Sequence, residues 1–127
     1  MNSYLIVFFG AGLGGTLRQG VNVACARYCG IAFPWGTLVI NILGSLVMGL
    51  AAAYFTAKSS EAWAYQARLF ATTGVLGGFT TFSAFSLDAV LLWERGAQGS
   101  AALYVLGSVA LSLMGLVAGL SIARSLT

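Results

Sequence analysis

Thr72-Thr73-Gly74-Val75-Leu76-Gly77-Gly78-Phe79-Thr80-Thr81-Phe82-Ser83-Ala84-Phe85-Ser86 carries no formal charge and lies in the middle of a longer apolar stretch. Its composition suits a poor helix. A glycine in a helix interior costs about 1 kcal/mol relative to alanine, and two β-branched threonines follow the Gly77-Gly78 pair. The pattern predicts a helix that breaks near 77–81 into two halves. Backbone released at membrane depth is tolerated only inside protein or beside a cavity. There its carbonyl and amide ends can coordinate ions. A continuous glycine-rich packing face is the other reading of the same residues.

The surroundings of this stretch set its environment. Of 127 residues, 59% are hydrophobic and only 7% charged, where soluble domains carry about 25% charge. Mean hydropathy is +0.91. Such a chain cannot coat a water-facing surface, which excludes a soluble enzyme, a nucleic-acid binder and a disordered protein. No formal charge falls in 1–17, 28–57, 69–87 or 96–123. A spanning helix needs about 20 apolar residues, so the expected architecture is one all-α domain over 1–127, with four transmembrane helices at about 3–27, 37–57, 62–95 and 101–124. Unbroken apolar runs argue against a β-barrel, whose strands alternate. The N-terminus lacks a basic region and a cleavage site, so the first span is expected to be retained.

Polar residues inside the spans narrow the function, because lipid offers them no partners. On the fourth span Tyr104, Ser108 and Ser112 recur every four residues and share a face with Gly115 and Gly119. Leu111 interrupts that stripe. On the second, Thr37, Asn41, Ser45, Gly49 and Ala52 form a similar stripe, and on the first Gly10, Gly14 and Arg18 do so. The glycines fit ordinary helix-packing seams, and serines can bond the carbonyl four residues back. Asn41 is harder to place that way and points to a pore or binding role. The Tyr104–Ser108–Ser112 row can present a ladder of hydroxyls to a permeating species.

Phe82 and Phe85 share a face just beyond the expected break. They either pack a core or turn their positive ring edges to an anion. Asp88 follows three residues on and is expected to cap or pair with a basic residue near the interface, Arg18 being one candidate. Trp35, beside the only proline, fits an interfacial anchor. Cys25 and Cys29 read as free thiols, since a chain without histidine offers no zinc ligand set.

Orientation is nearly balanced. Lys58, Arg68 and Arg124 fall on one side and Arg27 and Arg95 on the other. A bias this small allows insertion both ways with antiparallel pairing, and equally a single fixed orientation.

Three stretches together resemble the Fluc (CrcB) family of fluoride channels. They are Gly10-Ala11-Gly12-Leu13-Gly14-Gly15-Thr16-Leu17-Arg18, Gly36-Thr37-Leu38-Val39-Ile40-Asn41, and Gly74 through Ser86. The family's usual Phe-Ser-Thr-Phe stands here as Phe82-Ser83-Ala84-Phe85, one hydroxyl short. The resemblance implies an antiparallel, dual-topology homodimer with two pores in a bacterial inner membrane. Fluoride would leave passively, lowering its cytoplasmic level. The resemblance also implies that Phe82 and Phe85 line each pore, that Asn41 donates to the anion, and that Tyr104, Ser108 and Ser112 form a polar track. Backbone carbonyls of Gly77 and Thr80 from both subunits would hold a structural sodium ion. Arg18, Thr81 and Asp88 are left with a structural or vestibule role. Fluoride, the bilayer and a second copy are thus the expected partners, with no nucleic acid and no enzymatic activity. The competing expectations are a small multidrug-type exporter, which needs a carboxylate deep in the membrane, and a non-transporting assembly subunit.

Overall fold

The computed structural model describes residues 2–127; Met1, where the first charge-free stretch begins, lies outside them. The described chain is almost entirely helical. Helix α1 is Ser3–Cys29, α2 Trp35–Ala57, α3 Ala64–Arg68, α4 Gly77–Phe79, α5 Phe82–Glu94 and α6 Gln98–Leu126, with a π-helical stretch Leu69–Leu76 joining α3 to α4. Among the described residues, three helical segments are long and apolar enough to cross a membrane: Trp35–Ala57, Ala64–Glu94 and Gln98–Leu126.

Local chemistry explains the ends. The Asn2 side chain accepts from the Tyr4 amide at 2.7 Å and caps α1. Gly30, with φ +84°, ends α1 in a conformation that side chains disfavour. Pro34 (φ −80°, ψ 66°) sits at the centre of an inverse γ-turn, closed by the Trp35 amide donating to the Phe33 carbonyl at 2.8 Å. Trp35 and Gly36 therefore open α2, two residues before its expected start. Gly96, with φ +88°, makes the turn into α6.

The third span breaks within the expected 77–81, at the threonines. Gly77 and Gly78 are helical; the break falls at Thr80 and Thr81, whose backbones are extended (φ/ψ −80°/158° and −152°/124°). The glycines serve close approach instead. A Cβ on Gly78 would lie 2.9 Å from the Ala11 Cα, and one on Gly10 would lie 2.8 Å from the Phe70 carbonyl oxygen. The α1 glycine stripe thus packs on the third span, as a small-residue seam does in lipid. The π-helical stretch lies at this crossing, where the Thr72 hydroxyl bonds back to the Arg68 carbonyl at 2.7 Å. Helices α2 and α6 run along each other through a second seam, in which Gly49 and Gly119 meet backbone to backbone. A cluster of Phe85, Leu92, Ala101 and Tyr104 closes the end of the bundle nearest the α1–α2 loop.

Candidate functional site

The break in the third span is organised by a residue forty positions away. Asn41 on α2 donates from Nδ2 to the Thr81 carbonyl and accepts at Oδ1 from the Thr81 amide, both at 2.9 Å. Its side chain thus replaces a strand neighbour for one residue of extended backbone. The Thr81 amide, which a continuing helix would give to the Gly77 carbonyl, is thereby diverted. The Ala84 amide is diverted likewise, to the Thr81 hydroxyl at 3.2 Å, so Thr81 caps α5 and the Thr80 carbonyl loses its helix donor. The two carbonyls that the family resemblance assigns to sodium are among those that the break deprives of intrahelical donors. Hard oxygens of this kind suit an alkali cation, so the donor set fits.

Arg18 approaches from α1 and donates to the Thr80 carbonyl at 3.4 Å. The expected Arg18–Asp88 pairing is therefore corrected. Asp88 instead accepts from the Tyr104 hydroxyl at 3.1 Å. The reason is placement: Arg18 lies level with the break, whereas Asp88 is two turns further along α5.

Beside the break is a cavity of about 410 Å³. Asn41 and Ser45 line it from α2, Thr80 and Thr81 from the break, Phe82 and Phe85 from α5, and Ser108 and Ser112 from α6. The two serine hydroxyls are buried, and neither has a hydrogen-bond partner among the described residues. They do not bond back to their own helix, as serines in spans can. A buried hydroxyl left unpaired costs about 1–3 kcal/mol, and both are free to bond a guest in the cavity. Asn41 has a second Nδ2 proton that no described residue accepts. The first turn of α5 also opens here, and a helix N-terminus favours negative charge.

Phe82 and Phe85 are neighbours, with centroids 5.6 Å apart, yet they are placed differently. Phe82 is 78% exposed in the single chain and Phe85 only 9%. Tyr104 is 1% exposed and lies behind Phe85, at 5.2 Å between centroids, outside the cavity lining. The hydroxyl ladder is thus open at Ser108 and Ser112 and sealed at Tyr104. No titratable side chain lines the cavity. Met48 and Gly44 line it as well and were not singled out in the sequence. Gly44 leaves the room that the Thr80 methyl occupies, a contact that no local pattern signals.

The family model described as CrcB-like protein, Camphor Resistance (CrcB), matches residues 5–120. Relatives named fluoride-specific ion channel FluC share most of the length. One from Nitrobacter hamburgensis, named FluC 2, is 58% identical over 125 residues, covering 98% of this chain and 99% of the relative. One from Rhodopseudomonas palustris strain BisB5 is 58% identical with the same coverage. One from Beijerinckia indica is 53% identical over the whole of both chains. With a model that matches nearly its whole length and relatives this similar, the chain belongs to the CrcB-like family.

Proposed function

We propose that the chain is a passive, fluoride-selective channel of the bacterial inner membrane. Four spans, α1 included, would insert as an antiparallel homodimer with two pores. The observation that carries this reading is the cavity, in which the Ser108 and Ser112 hydroxyls and the second Nδ2 proton of Asn41 lack partners among the described residues, beside Phe82, Phe85 and a helix N-terminus. The free amide proton, the hydroxyl protons and the helix N-terminus can all turn to an anion, and no carboxylate lines the cavity to favour a cation. These donors are also uncharged, so they can replace a small anion's water without trapping it. Fluoride is the anion named in the relatives.

The break divides its labour by polarity. Its carbonyls, Gly77 and Thr80, face the role of holding sodium where two copies meet, and the amide end of α5 faces the anion. Arg18, lodged against Thr80, holds the break to α1. A proton-coupled multidrug-type exporter is disfavoured, because that mechanism needs a carboxylate in the binding cavity and none lines this one. The test is fluoride efflux from liposomes carrying the purified chain, read with a fluoride electrode after a potassium ionophore sets the charge balance. Rapid fluoride release with chloride retained is expected. Release no faster than from protein-free liposomes would overturn the proposal.

A further inference from the structure

A second cavity, of about 330 Å³, opens beside the α2–α3 connection. Phe55 and Thr56 line it from the end of α2, Ser59 from the turn, and Ala64, Tyr65 and Arg68 from α3. Arg68 is its only cation, and no carboxylate lines it. The Thr56 hydroxyl is already given to the Ala52 carbonyl at 2.7 Å. The Ser59 hydroxyl, the Tyr65 hydroxyl and the Arg68 guanidinium find no acceptor among the described residues, and all three residues are exposed. Arg124 lines a neighbouring cavity on the other side of Thr56, and Lys58 follows α2 directly. Cations thus gather at this corner of the bundle, where Glu61 is the one acid.

The depth of the cavity tells what it meets. From Thr80 back to Arg68 the chain climbs about 18 Å at α-helical rise, and half the hydrocarbon thickness is about 15 Å. Thr80 stands nearly midway between Arg68 and Glu94, near the two ends of the third span. With the break at mid-depth, Arg68 lies just beyond the acyl chains, level with lipid phosphates. The neighbouring rings agree with that level. Tyr54, Phe55 and Trp63 pack together with centroids 5.2, 6.4 and 6.5 Å apart, and Trp63 and Tyr65 are exposed. Trp and Tyr concentrate where membrane meets water.

We propose that this cavity holds the phosphodiester of an anionic phospholipid, with Arg68 as its cation and Ser59 and Tyr65 as its hydroxyl donors. The inference rests on membrane residence and not on the anion path. A guanidinium presents two parallel N–H donors to phosphate oxygens, and basic pockets between membrane helices take anionic headgroups in this way. Phe55 and Ala64 give the cavity an apolar wall for the glycerol end of the lipid. Inorganic phosphate shares the headgroup's chemistry but has no acyl chains to hold it at this depth. A headgroup seated here bridges the end of α2 to the start of the third span.

The test uses the purified full-length protein in detergent, with retained lipid counted by native mass spectrometry and the melting temperature read alongside. Phosphatidylglycerol is the probe, with phosphatidylcholine and inorganic phosphate as comparisons. The wild type is expected to retain phosphatidylglycerol several-fold more tightly than phosphatidylcholine, and to melt at a higher temperature with it. Arg68→Gln is expected to abolish that preference. Arg27→Gln removes an exposed cation from the last turn of α1, at the other end of the bundle, and is expected to leave it intact. Should Arg68→Gln fail to assemble, Ser59→Ala combined with Tyr65→Phe decides, with several-fold weaker retention expected. An unchanged preference in Arg68→Gln, or in the double variant where that one decides, would overturn the site. Equal losses in Arg68→Gln and Arg27→Gln would reduce it to general attraction between charges and overturn it too. Equal retention of the two lipids by the wild type would overturn the anionic headgroup. A melting shift matched by inorganic phosphate alone would assign the cavity to a free anion and overturn the lipid.

Discussion

Asn41 acts at two places with one amide. It clamps both backbone groups of Thr81, and it leaves one proton toward the cavity. Asn41→Asp keeps the acceptor for the Thr81 amide but sets an anionic oxygen against the Thr81 carbonyl and the cavity. Fluoride efflux from assembled dimers is expected to be lost, and wild-type efflux would remove Asn41 from the path. Asn41→Ala strips both Thr81 groups of partners and is expected to cost about 1–3 kcal/mol for each group left unpaired, read as a lower melting temperature. The two phenylalanines separate packing from conduction in the same way. Phe85 is buried, so Phe85→Ala is expected to cost about 3–5 kcal/mol. Phe82 is exposed in the single chain, so Phe82→Leu should change the stability of the chain by no more than about 0.5 kcal/mol. If its ring edge serves the anion, Phe82→Leu should nevertheless abolish efflux, since an aliphatic group keeps volume without the positive edge. Normal efflux in that variant would assign Phe82 to packing.

The two glycines of the third span look alike in sequence and differ in the element. Gly78 abuts the backbone of Ala11, whereas the nearest atom to a Cβ on Gly77 would be the Thr72 carbonyl oxygen at 3.5 Å, an ordinary contact. Gly78→Ala must push α1 away and is expected to destabilise by about 1–3 kcal/mol. Gly77→Ala is expected to be neutral or to stabilise by up to about 1 kcal/mol, because it improves a helical position. Melting curves of the purified protein in detergent check both. If the two variants were equally damaging, the pair would be acting as a helix break, contrary to the observed geometry. The break itself needs Asn41 and Thr81 rather than glycine, since their hydrogen bonds replace the lost helical ones.

For the whole molecule, the near balance of basic residues across the two ends, taken together with the family resemblance, predicts opposed protomers. Reporters fused to the C-terminus, one active on each side of the membrane, are expected to give signal from both. Signal from one side alone would fix a single orientation. Sodium belongs to the same scale, because one chain brings the Gly77 and Thr80 carbonyls and an alkali cation takes more than two oxygens. Replacing sodium with a large organic cation during purification is expected to lower the melting temperature of the dimer or its efflux. No change after exhaustive exchange would argue against a structural ion.

Membrane residence, the helical class and the polar stripes were legible in the chain itself, because lipid punishes charge and unpaired backbone wherever they stand in sequence. The stripes on α1, α2 and α6 were read from helical period alone, and each faces a neighbour or the cavity as the period demands. The third span resisted that reading. Its π-helical stretch takes more residues per turn than the 3.6 of a regular helix, so faces counted from Arg68 do not carry through to Phe82. Residue propensity placed the break near 77–81 without separating the glycine pair from the two threonines. The actual break sits at Thr80 and Thr81, because only there can Asn41 reach in to satisfy the backbone. That Asp88 meets Tyr104, that Arg18 meets Thr80, and that Phe33 meets Tyr104 depends on which helices lie side by side. Composition and period carry no term for such pairings between distant positions; the packing of α1, α2 and α6 around the third span decides them.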